Sequence, residues 1–393
     1  MALDIGAIQA ALRADGLDGW LLYDFHGSNP IAVRLAGLDS GGHMTTRRWY
    51  YLIPAEGRPR GLVHAIERHN LDALPGDTQV YAGRGQLEDG LTALLTGLHR
   101  VAMEYSPECA LPYLSRLDAG TAESIRRRGV TIVSSGDLVQ RFEAGWTAAQ
   151  LATHLAASAA LHRIKDRAFD TVATALRANQ RLTEYELQQQ MVTWFEEEGL
   201  ISDSAPVVAV GANAGNPHYL PSPTGSAAVS PDRVLLLDLW GKQRTVGAVF
   251  ADITWVGMTA SAVPDDVARA FAAVAAARDA AVGLVQQAAR AGGVLRGWEV
   301  DRAARQVLEG AGYGSRVLHR TGHSLGEQVH GNGVHLDDFE THDDRRLLPG
   351  AGFTIEPGLY FDEFGVRTEI NMFLDQGDGL VSGPRQGAVV TLA

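Results

Sequence analysis

Two glutamates near the end of the chain have a spacing that could bring their carboxylates together. Glu356 and Glu369 are 13 residues apart, so a tight turn over residues 361–365 would place them directly opposite each other in a hairpin. Opposed side chains of an antiparallel pair have Cβ atoms about 4.5–5.5 Å apart, and two buried carboxylates that close repel unless a cation or a shared proton holds them. The apolar neighbours Ile355 and Ile370 argue against the remaining alternative, which is exposure of the hairpin to solvent.

Two aspartates lie in similar apolar, strand-like surroundings. Asp238 ends the run VLLLD and Asp252 lies within FADITWV. An isolated carboxylate in an apolar strand is costly unless it has a partner. The midpoint of the two aspartates is Thr245, so pairing them requires residues 241–247 to form a broad loop. This pairing is a weaker inference than the glutamate hairpin.

Three histidines are concentrated in HRTGHSLGEQVH, residues 319–330, between the aspartates and the glutamates. His319 and His323 have a zinc-like spacing, but the adjacent glutamate base of the helical zinc-peptidase motif is missing and Gly322 disfavours a helix. Oxygen ligands with few imidazoles suit Mn²⁺, Co²⁺ or Zn²⁺ in a paired site better than a structural zinc. Two such ions about 3.5–4 Å apart share carboxylate bridges and activate water.

The composition predicts a cytoplasmic protein of two domains. A chain of 393 residues is long for one core, and a net charge of −12 argues against nucleic acid or an anionic membrane as partner. The single cysteine, Cys109, excludes a disulfide framework within one chain. The N-terminus does not resemble a signal peptide, and no apolar run reaches the roughly 18–20 residues that span a bilayer.

The elements that must position these residues divide the chain into two parts. Residues 1–143 alternate predicted helices and strands, which indicates an α/β layer. Residues 144–393 begin with a long helical block at Trp146 and continue with strands and further helices. The predicted fold class is therefore α+β, with strands in the second part over residues 204–210, 234–240, 249–257, 352–361 and 366–374.

Taken in order, five residues resemble the ligand pattern of the M24 metallopeptidase family. They are Asp238, Asp252, His323 in TGHSLG, Glu356 in TIEPGLY and Glu369 in GVRTE. The resemblance implies a creatinase-like α/β N-terminal domain followed by a pita-bread catalytic domain. It also implies two divalent metal ions, with Mn²⁺ favoured over Co²⁺ or Zn²⁺. Asp238 would bind one ion and His323 the other, Asp252 and Glu369 would contact both, and Glu356 would also handle a proton.

The same resemblance assigns roles to residues that do not bind metal. His218, His319 and His330 match active-site histidines, of which His218 and His330 would contact substrate. Tyr360 and Arg367 match a tyrosine–arginine proton relay, and strand parity places them on the faces of Glu356 and Glu369. The chain departs from the family where Trp240 replaces a glycine and Trp255 an arginine, and the spacing from Asp238 to Asp252 is longer. These departures bear on the substrate pocket more than on the metal site.

Within the family the chain is most similar to the proline-specific branch. The expected reaction is hydrolysis of the Xaa-Pro bond of dipeptides by a homodimer. The alternatives are an Xaa-Pro aminopeptidase acting on longer peptides and, outside peptide hydrolysis, a creatinase-like hydrolase or a binding module. Arg47 and Arg48 favour the dipeptidase, because an arginine could read the free carboxylate of a dipeptide. His335 and His342 fall in HLDDFETHDDRR, which the composition predicts to be an acidic surface loop without a role.

Overall fold

The computed structural model describes residues 3–39 and 44–393. They form two compact units that divide between Ala144 and Gly145. Each unit has its own hydrophobic core.

The N-terminal unit is built on a six-stranded mixed sheet. The strands are β1 (Gly19–Asp24), β2 (Trp49–Pro54), β3 (Arg60–His64), β4 (Asp77–Tyr81), β5 (Arg100–Met103) and β6 (Thr131–Ser134). Their order in the sheet is β4-β3-β2-β1-β5-β6, in which β1–β2 and β2–β3 are antiparallel pairs and β3–β4, β1–β5 and β5–β6 are parallel pairs. The helices are α1 (Ile5–Ala14), α2 (Pro30–Leu35), α3 (Arg84–Leu95), α4 (Ala119–Arg126) and α5 (Gly136–Val139), followed by a π-helical turn at Gln140–Ala144.

Strand β1 shows why this sheet is covered on both faces. All six of its residues are buried. Trp20 and Leu22 pack into one core cluster, and Leu21 and Tyr23 pack into another. Successive side chains of a strand point to opposite faces, so GWLLYD must be apolar throughout.

The C-terminal unit combines long helices with several small sheets. The helices are α6 (Ala148–Arg177), α7 (Glu184–Glu197), α8 (Asp265–Ala291) and α9 (Gly297–Gly310). The strands are β7 (Leu200–Ile201), β8 (Val207–Val210), β9 (Val234–Gln243), β10 (Ala251–Met258), β11 (Gly352–Ile355), β12 (Gly358–Tyr360), β13 (Gly365–Arg367), β14 (Ile370–Asp375), β15 (Asp378–Ser382) and β16 (Val390–Thr391). Helix α6 starts at a capping box between Thr147 and Gln150, and α8 ends at Gly292 in the left-handed conformation.

The antiparallel pair β9–β10 separates two layers of this unit. Leu235 and Leu237 pack into the core cluster that α6 supplies, whereas Leu236 and Val256 pack into the cluster that α8 and α9 supply. Asp238 and Asp252 share strand parity with Leu236 and Val256, so their side chains lie on the α8 side of the sheet.

None of the helices in the described parts of the chain combines the length and apolar character that crossing a membrane requires.

Candidate active site

The glutamate hairpin has the predicted register. Gly352 pairs with Phe373 in β11–β14, and Gly358 pairs with Arg367 in β12–β13. Both pairs have the same register, so Glu356 and Glu369 face each other in the short interval between the two ladders. Glu369 is buried and Glu356 half-buried, which confirms the inference from their spacing that the hairpin is not exposed.

The two aspartates do not oppose each other, and the pairing centred on Thr245 is wrong. Asp238 lies opposite Thr254, and Asp252 lies opposite Trp240. The hairpin therefore turns one residue later than the midpoint required, which makes the aspartates diagonal neighbours on one face. They still share the site, because the Asp238 charge helps to raise the pKa of Asp252 after the larger effect of burial.

His323 lies in an extended segment that runs beside β11 rather than in a helix. The backbone N–H of Thr354 donates to the His323 carbonyl at 2.8 Å, and the His323 N–H donates to the Thr354 hydroxyl at 2.9 Å. Glycine is required at position 322, where a Cβ atom would lie 2.1 Å from the Thr354 carbonyl oxygen. Nδ1 of His323 lies 3.1 Å from the Ser324 carbonyl, so it carries the proton and Nε2 faces the carboxylates.

Three of the predicted ligands form a cluster that fits a metal ion. One ligand atom each from Asp252, His323 and Glu369 lie within 4.8 Å of one another, and all three residues are buried. Oδ1 of Asp252 and Oε1 of Glu369 are buried without a hydrogen-bond partner among the described residues. Burial, and then the neighbouring carboxylates, raise the pKa values of Asp252 and Glu369 well above normal. A divalent cation would satisfy these oxygens and remove the repulsion.

The other two predicted ligands border this cluster. Asp238 forms an ion pair with Arg367, and its Oδ1 lies 3.2 Å from the Thr254 hydroxyl oxygen. Oε1 of Glu356 lies 3.4 Å from Nε2 of His323. Burial opposes ionisation of Glu356, but the surrounding basic groups, which include the Arg367 guanidinium as well as the imidazoles, together outweigh it and lower the pKa of this carboxyl. Both carboxylates are therefore within reach of a metal pair, and their role as ligands stays a prediction.

His319, Tyr360 and Arg367 form a continuous chain of hydrogen bonds. Nδ1 of His319 donates to the Arg320 carbonyl at 2.7 Å, so Nε2 accepts from the Tyr360 hydroxyl at 2.6 Å. Arg367 donates to the same hydroxyl at 3.0 Å. Burial raises the pKa of Tyr360 to about 12. The structure thus brings together the predicted tyrosine–arginine pair, and both ring nitrogens of His319 have hydrogen-bond partners within the chain.

The remaining predicted residues differ in their distance from this cluster. The ring of His330 lies 4.4 Å from that of His323, centre to centre, and the residue is exposed. His218 is exposed in the loop after β8, where its backbone N–H donates to Asn216. Arg47 and Arg48 are exposed in the N-terminal unit just before β2, and the Arg47 guanidinium donates to Thr46.

Two threonines that the sequence analysis missed hold the site together. The Thr254 hydroxyl donates to Glu369 at 2.8 Å and accepts from Arg367 at 2.9 Å. The Thr354 hydroxyl contacts Glu356 at 3.2 Å as well as the His323 backbone. Each threonine lies two residues before or after a predicted ligand in a strand, so strand parity could have identified both.

The segment predicted as an acidic surface loop is partly buried, and that prediction is wrong for His335, Asp337 and Asp343. Nδ1 of His335 accepts from the Ser324 N–H at 3.0 Å, and the His335 N–H donates to Asp343 at 2.8 Å. Arg345 forms a two-pronged ion pair with Asp343. The aspartates are buried because a buried arginine and backbone N–H groups satisfy them. His342 is exposed, as predicted.

A buried group of carboxylates with one imidazole, placed to bind divalent cations on a mixed α and β scaffold, is a site of the kind that metal-dependent hydrolases use. The chain belongs to metallopeptidase family M24, whose family model matches residues 157–376. All five predicted ligands lie within that match.

Comparison with individual proteins supports the same family. An Xaa-Pro dipeptidase of Lactobacillus delbrueckii subsp. lactis is 32% identical over 164 residues, which cover 42% of this chain and 40% of that protein. The match therefore spans less than half of the relative.

Two solved structures match the whole chain in fold. The dipeptidase PepE of Mycobacterium ulcerans superposes with a TM-score of 0.69 at 22% identity, and a prolidase of Thermococcus sibiricus with 0.62 at 21%. Each match covers 100% of both chains. The predicted fold class, an N-terminal domain followed by a pita-bread catalytic domain, is thereby confirmed.

Proposed function

We propose that this protein is a dinuclear-metal exopeptidase that hydrolyses the Xaa-Pro bond of dipeptides. The observation that carries the proposal is the buried cluster of Asp252, His323 and Glu369, with two carboxylate oxygens that lack hydrogen-bond partners among the described residues. A creatinase-like hydrolase without metal, or a binding module, has no use for such a cluster. The family membership and the named Xaa-Pro dipeptidase relative support the peptidase.

The proposed ligands of the two ions are Asp238, Asp252, His323, Glu356 and Glu369. We propose Mn²⁺ as the natural ion and Co²⁺ or Zn²⁺ as substitutes, because four carboxylates and one imidazole form a predominantly oxygen ligand set. When bound, such ions lower the pKa of water and polarise a carbonyl. Thr254 orients Glu369 and Arg367 neutralises Asp238, so the chain fixes the carboxylates before substrate arrives.

Glu356 is the proposed proton carrier. Its lowered pKa keeps the carboxylate ionised at neutral pH and therefore able to accept a proton from the attacking water. Thr354 contacts its Oε1 and limits its rotation. The proton would then pass to the imino nitrogen of the leaving proline, which must gain one as the peptide bond breaks.

Neutral donors are proposed to stabilise the negative charge that develops on the scissile carbonyl. Although part of the residue is exposed, partial desolvation of the ring and then the neighbouring His323 lower the pKa of His330 to about 4, so this imidazole is uncharged at neutral pH and donates through one N–H. His218 would act from the loop after β8. Tyr360 donates its one proton to His319 and accepts from Arg367, so it is proposed to relay protons rather than to donate to the carbonyl.

The test of this function is hydrolysis by metal-loaded protein. We expect Mn²⁺-loaded protein to cleave Leu-Pro, to cleave Leu-Ala poorly, and to lose activity when a chelator removes the metal. Metal analysis should give about two ions per chain, as in other two-metal hydrolases. Absence of bound metal together with absence of Xaa-Pro cleavage would overturn the proposal.

The preference for dipeptides is a separate proposal, which depends on Arg47 and Arg48. A guanidinium can bind the free carboxylate of a dipeptide with two hydrogen bonds, whereas a longer peptide lacks a carboxylate at that position. We expect Leu-Pro to be cleaved faster than Leu-Pro-Gly, and the Arg47→Ala or Arg48→Ala variant to lose this difference. Equal or faster cleavage of the tripeptide by the wild type would favour the Xaa-Pro aminopeptidase.

Two further proposals concern the protein in the cell. We propose a homodimer, which light scattering coupled to gel filtration would test. We also propose a cytoplasmic location, which suits the single cysteine and a substrate drawn from peptide turnover.

A further inference from the structure

Trp240 lies beside the metal-binding cluster. It lies directly opposite Asp252 in the β9–β10 ladder and two residues after Asp238, so its side chain leaves the same face of the sheet. The residue is half-buried and packs against the cluster that contains Phe250. Its remaining surface therefore borders the place where substrate must approach the carboxylates.

An acidic side chain is fixed to this indole. Nε1 of Trp240 donates to Oδ1 of Asp203 at 2.7 Å, and Asp203 is exposed just after β7. Trp240 lies directly opposite the proposed ligand Asp252, so this hydrogen bond fixes the Asp203 carboxylate to a residue that flanks the site.

Within the described part of the chain, the Asp203 carboxylate accepts from the Trp240 indole and forms no ion pair with a lysine or arginine. Lys242 is two residues beyond Trp240, but its ammonium group lies over the Phe250 ring, 5.0 Å from the centre, and donates to the Glu327 carbonyl. An oriented carboxylate next to an indole face is a good environment for a cation.

The two ends of an Xaa-Pro substrate differ in charge, and this difference decides which end fits beside Trp240 and Asp203. The proline end carries the free carboxylate, which Asp203 would repel. The other end carries the free amine and the side chain of the first residue. A wall that combines an indole with a carboxylate therefore suits the first residue.

We propose that Trp240 and Asp203 form the wall of the subsite for the residue before proline and select a cationic side chain there, as in Arg-Pro and Lys-Pro. This inference rests on the proposed Xaa-Pro peptidase function. The indole face would stack on the guanidinium or ammonium group while Asp203 pairs with its charge.

The experiment compares kcat/KM for Arg-Pro, Leu-Pro and Glu-Pro with Mn²⁺-loaded protein. We expect the order Arg-Pro, Leu-Pro, Glu-Pro in the wild type. Asp203→Asn keeps an acceptor for the indole N–H and removes the charge, so the Arg-Pro to Leu-Pro ratio should fall about two- to fivefold, as expected for a partly exposed ion pair. Trp240→Phe keeps an aromatic face but releases Asp203, and should lower the ratio less. Asp170→Asn, an equal change of charge at an exposed position on α6, should leave the ratio unchanged.

A wild type that does not prefer Arg-Pro, or an Asp203→Asn variant with the wild-type ratio, would overturn the selection of a cation. If no Xaa-Pro dipeptide is cleaved, the proposed function fails, and calorimetric binding of the free amino acids to Mn²⁺-loaded protein still tests the wall. The proposed wall would be supported if arginine bound more tightly than leucine and the Asp203→Asn variant lost this difference. Equal binding of the two amino acids would overturn it.

Discussion

The ionised form of the Glu369 carboxyl is unfavourable in the metal-free folded protein. Its effect should be measurable as a dependence of the unfolding free energy on pH. Burial and neighbouring carboxylates raise its pKa in the folded protein, so without metal the folded state prefers the protonated acid. The contribution of Glu369 to the free energy of unfolding is favourable below the pKa that this carboxyl has in the unfolded chain, near 4. It is lost as pH rises through the raised pKa of the folded state. We expect metal-free Glu369→Gln to be more stable than metal-free wild type at pH 7, by about 1–3 kcal/mol, with the gap closing toward pH 4.5.

Mn²⁺ should reverse that order. The ion binds the ionised wild-type cluster and so stabilises the folded state, whereas the neutral amide of Glu369→Gln is a poor ligand. Thermal unfolding with and without Mn²⁺ at pH 4.5, 6 and 7 measures both effects. Glu363→Gln, an exposed change in the same hairpin, is the matched control. A metal-free variant that is less stable than wild type at pH 7 would show that Glu369 has a favourable partner without metal.

Tyr360 offers a test of the catalytic chain that is independent of metal binding. Its hydroxyl is the shared partner of His319 and Arg367, and the raised pKa of about 12 keeps it protonated. Tyr360→Phe should lower kcat on Leu-Pro about 100-fold with a smaller change in KM, because the proposed proton relay between His319 and Arg367 is interrupted. Bound Mn²⁺ should be unchanged. Tyr185→Phe on α7 serves as control, and a loss confined to KM would assign Tyr360 to substrate binding.

At the scale of whole elements, helix α6 is fastened to two strands through His154. Its Nδ1 lies 2.8 Å from the Phe250 carbonyl just before β10, and its Nε2 lies 2.8 Å from the Ser382 hydroxyl in β15. The carbonyl can only accept, so Nδ1 carries the proton and Nε2 accepts from serine. Burial lowers the pKa of His154 to about 4. The element contact therefore requires a neutral imidazole.

This contact predicts a loss of stability in acid. A base whose pKa is depressed by folding costs stability as pH falls below its unfolded value near 6.5, and the loss is complete near pH 4. We expect His154→Gln, which keeps a donor and an acceptor without a titrating ring, to flatten the dependence of unfolding free energy between these limits by about 1–3 kcal/mol. Urea unfolding at pH 7, 5.5 and 4.5 measures it. His99→Gln, at an exposed position, should behave as wild type.

The contrast between the two predicted carboxylate pairs shows what element-level reasoning can reach. Glu356 and Glu369 were placed correctly because a tight turn and strand parity leave one register. Asp238 and Asp252 were misplaced by one register step, since a seven-residue loop does not specify where the ladder starts.

Other features depend on partners that are distant in sequence. The Thr254 hydroxyl contacts both Glu369 and Arg367, and each of them lies more than 100 residues further along the chain. Sequence patterns identify the residue types suited to a metal site, but they do not specify which distant groups neutralise or orient them.

For the whole molecule, the location of the site predicts that metal acts on one unit. Asp252, His323 and Glu369 all belong to residues 145–393, and each unit has its own core. Units of this size can unfold as separate cooperative transitions. A ligand at 100 times its Kd stabilises the state that binds it by about 2.7 kcal/mol. Mn²⁺ should therefore raise the melting temperature of the C-terminal unit and leave that of the N-terminal unit unchanged.

Two core variants assign the transitions in a calorimetric scan. Leu22→Ala removes a fully buried side chain from the N-terminal core, and Leu336→Ala does so in the C-terminal unit. Each should lower only the transition of its own unit, by about 2–5 kcal/mol in unfolding free energy. The transition that Leu336→Ala lowers should be the one that Mn²⁺ raises. A single transition that both variants lower and Mn²⁺ raises would contradict the prediction, because the two cores would then unfold as one cooperative structure.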